Sequence, residues 1–510
     1  MTFLENHLLS ILIFLPLLGS LVVFLFPKTS NVKLQMVAFG ISLIEFGLSL
    51  LLLRYFNSSS HLIQLVQKVS WIPELGTSFF VGIDGISLWL VLLTTFLTPI
   101  VILSSTIERN VKSYMACLLI LETAMLGTFV SFDLILFYVF WEMMLIPMYF
   151  LIGIWGGARR IYATLKFFIY TMAGGVLMLL AIIFLVYLHY DQFGVFSTSL
   201  LNMYSLQIPF ETSKIFNIQS LLFLAFAVAF LIKVPMFPFH TWLPDAHVEA
   251  PTGGSVILAG VLLKMGAYGF LRFAMPLFPE ALQFFMPYLI ALSIIGIIYG
   301  AFLALAQTDL KKLVAYSSIS HMGLIMLGLL ILNTNGVSGS IFQMLCHGIS
   351  TGALFLIVGI IYDRRHTREI ASFGGLTKVM PYFSVAFLMV TLSSIALPST
   401  NGFIGEFLIL LGTFEKNPLW AILAASTVIL GAYYMLWMFQ RVMFGPVTHP
   451  ENKVLSDLSL REICVMLPMI VMIFWMGIYP KPFLSRMEKS IDYLVSNYKH
   501  YDLGIYEKHQ

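Results

Sequence analysis

Apolar residues run through this chain in blocks of about 20, the length that carries a helix across a hydrocarbon core, and short polar stretches separate them. The pattern predicts about fourteen membrane-spanning helices. They cover residues 4–26, 34–56, 82–105, 113–131, 133–155, 161–189, 218–240, 252–273, 281–304, 310–332, 337–362, 380–412, 418–443 and 461–479. The fold class is therefore an all-α polytopic membrane protein. The first block is long, uninterrupted and without a small-residue cleavage site, so it reads as a retained anchor.

Two blocks are interrupted. Pro235 and Pro238 fall in the seventh and Pro398, in ALPSTNGF, falls in the twelfth. Proline removes a backbone donor and clashes with the preceding turn, so both helices should break and free carbonyls at membrane depth. Such backbone is tolerated only where protein or a hydrated cavity satisfies it. Pro235 and Pro398 lie 163 positions apart, with five spans per unit. An odd number of spans turns the second unit over, which predicts two inverted five-helix repeats, a pattern associated with ion sites. The repeats are spans four to eight, residues 113–273, and nine to thirteen, residues 274–445. Residues 1–112 precede them, and 446–510 hold a linker, the last span and a tail.

Composition agrees with a membrane chain. Hydrophobic residues make up 59% and charged residues 10%, with a mean hydropathy of +0.93, too few charges to cover a soluble surface. Lys and Arg are more numerous in loops after odd-numbered spans than on the other side, tail included, which places both termini away from the cytoplasm. A net charge of +3 without a basic and aromatic surface run gives no sign of nucleic-acid binding. Cys117, Cys346 and Cys464 are far apart and form no CxxC pair, which argues against an iron–sulfur cluster, a structural zinc or a disulfide framework. Neither GxGxxG nor GxxxxGK occurs, so no nucleotide site is expected.

The chemistry lies in the few ionisable residues inside the blocks. Lys166, Lys233 and Lys264 sit within hydrophobic stretches, and an intramembrane cation is a functional hypothesis that needs a partner. Lys166 lies near enough to one end of its span to snorkel. Glu45, Asp84, Glu122, Asp133, Glu142 and Glu406 are the acids in or at the edge of spans. Asp84 and Asp133 open their helices and read as caps. Glu45 is either a buried polar contact or a relay member. Glu142 is near mid-span, and Lys233 is its expected counter-charge; a static pair that only fixes packing is the alternative. His321 and His347 are central in their helices and suit proton hand-off, which is the favoured reading over a satisfied interhelical donor. Glu406, after the second break, is expected to be unpaired.

Three stretches carry a family resemblance: HTWLPDAHVEAPTGGSVILAGVLLKMGAYGFLRF at 240–273, FWEMMLIPMYFLIGIWGG at 140–157 and HGISTGALFLIVGIIYDRRHTREIASFGGL at 347–376. They resemble the antiporter-like membrane subunits of respiratory complex I. Within that family the chain is most similar to the paralogue with an acid after the twelfth-span break and no long lateral helix. The resemblance implies a proton channel driven by quinone reduction elsewhere, with Lys233 as the broken-helix lysine, Glu142 as the fifth-span glutamate, Lys264 as the central lysine and Glu406 as the distal acid. It implies NADH, FMN, iron–sulfur clusters and quinone in partner subunits and none in this chain, neighbours that include the paralogous L and N subunits, and a place in the inner membrane. Protons would pass Lys233, Lys264, water, His321 and His347 to Glu406, with Glu122 and Lys166 as further candidates. Rival readings are a subunit of an Mrp-type cation/proton antiporter or of a membrane-bound hydrogenase, a stand-alone solute transporter, and a quinone-processing enzyme.

Overall fold

The computed structural model describes residues 3–27, 30–211 and 214–506; Lys28, one of the loop cations used to orient the chain, lies outside the described residues. Twelve helices among them are long and apolar enough to cross a membrane. The first six are α1 (Phe3–Leu25), α2 (Asn31–Tyr55), α3 (Ser87–Ser104), α4 (Val111–Val130), α5 (Leu134–Trp155) and α6 (Arg160–Phe193). Two shorter pieces follow, α7 (Ile218–Lys233) and α8 (Trp242–Glu249). Then come α9 (Thr252–Leu277), α10 (Pro279–Leu305), α11 (Leu310–Leu330) and α12 (Thr334–Arg365). A second pair of short pieces, α13 (Pro381–Ser394) and α14 (Asn401–Lys416), precedes α15 (Pro418–Met443) and α16 (Leu460–Ile478). The last helix among the described residues is α17 (Lys481–Tyr506).

Both proline breaks are present where the sequence places them. Between α7 and α8 the carbonyl of Ile232, freed by the break, accepts from the Trp242 indole at 2.8 Å. The sequence reading ends this span at 240, whereas the chain resumes as helix through Glu249. Between α13 and α14, Ala396 and Ser399 adopt left-handed backbone at φ 56° and 77°, a conformation uncommon for residues other than glycine. A third interruption was not expected. α5 is interrupted at Met144, because Pro147 has no N–H for the carbonyl four residues earlier. Glu142 sits immediately before this step.

α9, α11 and α12 form the interior of the bundle and are buried almost throughout. Their side chains therefore meet protein rather than lipid, which is where polar groups at membrane depth belong. α9 also contains two wide π-type turns, Leu258–Leu262 and Phe270–Ala274, of the kind often found at functional sites. They bracket Lys264.

An antiparallel hairpin departs from the all-helical expectation. β1 (Gln64–Ile72) pairs with β2 (Thr77–Ile83). Gly76 closes the turn at φ +64°, where a side chain would strike the Phe196 carbonyl. The tail is also ordered: Phe483, Met487, Ile491 and Val495 of α17 are buried at a four-residue spacing that makes one apolar face. Gly85 N–H donates to Ser490 Oγ at 3.0 Å, and the Trp89 indole donates to the Phe483 carbonyl at 3.1 Å.

Candidate functional site

Four of the candidate side chains fall into one connected row across the interior. Nζ of Lys264, on α9, lies 2.7 Å from Nδ1 of His347 on α12 and also donates to the Ala259 carbonyl in the wide turn before it. The His347 ring is 5.7 Å, centroid to centroid, from the ring of His321 on α11. Nδ1 of His321 lies 3.1 Å from Oε1 of Glu406 on α14. Glu406 is thus not unpaired, as the sequence suggested; it also accepts from the Gln343 amide at 3.2 Å. The Nε2 atoms of both histidines have no hydrogen-bond partner among the described residues. Gln343, Cys346, Ser350 and Ser393 line a small cavity beside the two rings.

Lys233 stands at the last residue of α7, with the helix break directly after it. Its Nζ is 3.5 Å from the Trp141 ring centroid and donates to the Trp141 carbonyl at 3.5 Å. An indole face attracts a cation at such range. Glu142 is within electrostatic reach of Lys233, but no direct ion pair joins them among the described residues. Its carboxylate leans instead on α6 at Gly175, where a methyl group would collide with Oε1. The absent side chain makes room for the acid.

The remaining candidates are placed apart from the row. Lys166 pairs with Asp245 of α8 at 2.7 Å, both partly exposed. Asp133 caps α5, accepting from the N–H groups of Ile135 and Leu136 at 3.1 and 3.2 Å. Asp84 accepts from Ile86 and Ser87 N–H at 3.1 and 3.0 Å, the expected capping role, and its other oxygen pairs with Arg272. Arg272 stands near the end of its predicted span, yet its side chain is only 12% exposed, in a wide turn of α9. Lys311, at the start of α11 and so at a block boundary, is buried and donates to the Ala250 carbonyl at 2.5 Å. Glu45 and Glu122 are fully buried and make no contact with the row.

His247 was missed. It lies on α8, beyond the predicted end of the seventh span, and stacks on Phe355 with centroids 4.6 Å apart at 14°. Both its ring nitrogens are buried without a hydrogen-bond partner among the described residues, within electrostatic reach of Lys264 and Lys311. The signal was in the sequence: His247 lies two turns after His240 in a stretch rich in helix formers, once helix is allowed to resume after the prolines. Among the described residues no group of three or more His, Cys, Asp or Glu is arranged to hold a metal ion.

This arrangement of buried lysines, histidines and carboxyls around two broken helices defines a class of proton-conducting membrane protein. The family profile described as NADH:quinone oxidoreductase/Mrp antiporter, transmembrane, matches residues 131–431, and the chain belongs to that family. It is 46% identical to NADH-quinone oxidoreductase subunit M of Rhodobacter capsulatus, with 98% of each chain covered. It is 47% identical to NADH-ubiquinone oxidoreductase chain 4 of Marchantia polymorpha, over 96% of this chain and 97% of that one. Among solved structures it superposes on a chain of respiratory complex I from Thermus thermophilus with bound NADH at a TM-score of 0.85 and 30% identity, covering 96% of this chain and 99% of that chain.

Proposed function

We propose that this chain is a proton-translocating membrane subunit of an NADH:quinone oxidoreductase, and that its proton path runs through Glu142, Lys233, Lys264, His347, His321 and Glu406. The observation that carries this reading is the row from Lys264 to Glu406. Four titratable groups from four different helices meet within hydrogen-bonding or ring-contact distance in the buried interior of the bundle. Stability does not explain such a row, because buried charges seldom improve on apolar packing. Proton transfer does. Similarity to subunit M and chain 4 over nearly the whole length favours the oxidoreductase over an Mrp-type antiporter.

Electrons then move in partner subunits that carry NADH, FMN, iron–sulfur clusters and quinone, and this chain holds none of these groups. Its neighbours in the membrane are the paralogous L and N subunits. The chain sits in the bacterial inner membrane with both termini on the outer side, as its loop cations favour. It has fourteen spans when α7 with α8 and α13 with α14 each count as one broken span. Residues 113–273 and 274–445 are the two inverted half-channels, each with one break.

Withdrawal of Glu142 from Lys233 toward the Gly175 side removes the attraction that holds the lysine proton, and the break after Lys233 gives the side chain freedom to move. The proton then passes toward Lys264 and along the row. Lys233→Ala tests this. The complex should assemble with normal subunit content, while coupled electron transfer and pumping in proteoliposomes are nearly abolished; normal pumping would overturn the path.

A further inference from the structure

Glu45 and Glu122 lie outside the proposed path, yet they are within electrostatic reach of one another. α2, α3 and α4 pack together, and Ser42, Glu45 and Ser49 form a buried polar stripe on α2. Ser49 Oγ and Thr95 Oγ1 touch at 2.7 Å between α2 and α3. These neighbouring helices run in opposite directions, so one turn back on α2, at Glu45, faces one turn forward on α3, at Thr98. Glu122 of α4 borders Thr98 and is within electrostatic reach of Glu45. Both acids are 0% exposed, and all four carboxyl oxygens lack a hydrogen-bond partner among the described residues.

Among the described residues no cation is placed to offset the pair. α3 has no ionisable side chain between Ser87 and Ser104, and those of α2 and α4 other than the pair are Lys33, Arg54, Tyr55, Lys112, Tyr114 and Cys117. Lys112 reaches the Phe24 carbonyl at 3.1 Å. On the other helices packed here, α1 carries Glu5 and His7 in its first turns, Glu142 of α5 faces Gly175, Lys264 of α9 and His347 of α12 face each other, and Glu462 of α16 pairs with Arg364. The nearby hydroxyls have other acceptors to serve: Thr98, which borders Glu122, has the Thr94 carbonyl at 3.0 Å, and Ser49 and Thr95 have each other and the carbonyls of Phe46 at 2.7 Å and Leu92 at 3.2 Å. Two ionised carboxylates so placed would repel with no charged partner to satisfy them. A carboxyl that keeps its hydrogen becomes the missing donor to the other.

We propose that Glu45 and Glu122 form a proton-holding site separate from the path to Glu406, in which one proton is shared between the two carboxyl groups and fastens α2 to α4. The intact complex carrying Glu45→Gln, Glu122→Gln or both tests this by infrared absorption in the carbonyl region of protonated carboxyl groups. An amide is neutral, like the protonated acid, so the double variant should assemble and lose a carboxylic absorption present in the wild type. Each single variant should keep that absorption, because the remaining acid retains the proton. Identical spectra of wild type and double variant would mean that both groups are ionised and would overturn the proposal. Loss in one single variant alone would assign the proton to one residue and overturn sharing. Absorption that appears in the wild type only when sodium is withdrawn would make the site a cation site instead, and failure of the double variant to assemble would overturn the fastening role.

Discussion

Nζ of Lys264 lies 2.7 Å from Nδ1 of His347, so one nitrogen donates and the other accepts. A charged lysine has no lone pair, so beside it His347 must present a bare Nδ1. If Nδ1 carries hydrogen, Lys264 must be the free amine. The two states differ only in which nitrogen owns the proton. Transfer between α9 and α12 then needs no side-chain movement, and the imidazole can pass the charge on from its far nitrogen.

His347→Ala should therefore cut the path between α9 and α11 while leaving the helices in place. Lys264 keeps the Ala259 carbonyl, and Glu406 keeps His321 and Gln343. Proton uptake by reconstituted complex is expected to fall on the order of 100-fold, the usual scale for loss of a positioned proton-transfer group. Subunit content on a native gel should be unchanged. Near-normal uptake would remove His347 from the path.

Gly175→Ala addresses Glu142 without touching its charge. The added methyl collides with Oε1 of the carboxylate, and overpacking of this kind costs about 1–3 kcal/mol unless the neighbour moves. The acid must leave its place against α6, so the balance of its two positions relative to Lys233 changes. Pumping per electron pair should drop with the complex still assembled. Gly175→Ala at wild-type efficiency would show that the place of Glu142 against α6 does not matter.

Much of this site could be read from the chain. Lys233, Lys264, His321, His347 and Glu406 stand out because a charge or imidazole inside an apolar block has few reasons to be there, and Pro235 and Pro398 mark the breaks in one dimension. Partnership is a different matter. Nothing in spacing says that Glu406 meets His321 or that Glu142 rests on Gly175, since those contacts join helices far apart in sequence. Lys311 and Arg272 sit at block boundaries, where the exact helix position decides between water and interior and periodicity alone cannot. His247 was lost to a boundary: two prolines ended the predicted span, and the helix resumed after them. The hairpin escaped for a related reason, because β1 has no apolar block and only its pairing with the buried β2 gives it form.

His247→Phe separates packing from chemistry at the residue the sequence reading missed. A phenyl ring can keep the stack on Phe355 while removing both unpartnered ring nitrogens. Ring-for-ring replacement of this size should cost less than about 1.5 kcal/mol of stability. If His247 carries protons toward Lys264, proton uptake falls severalfold at unchanged thermal stability. Wild-type uptake by His247→Phe would leave it a packing residue.

Glu406 provides the sharpest test because its surroundings treat amide and carboxylate alike but not a cation. Oε1 accepts from His321 at 3.1 Å and from Gln343 at 3.2 Å, and a glutamine at 406 can accept both hydrogens without taking up or releasing a proton. Glu406→Gln should thus fold and assemble as the wild type does, yet block transfer through the distal half. Glu406→Lys places an ammonium against an imidazole and an amide. The imidazole can turn a lone pair to it, and the Gln343 amide can turn its oxygen, an atom that has no partner in the present arrangement. A basic group so received can still pass protons, and partial pumping is expected. Quinone reduction and proton uptake measured on both variants decide between relay and scaffold: full pumping by Glu406→Gln together with inactive Glu406→Lys would make the carboxylate a structural acceptor and end the path at His321.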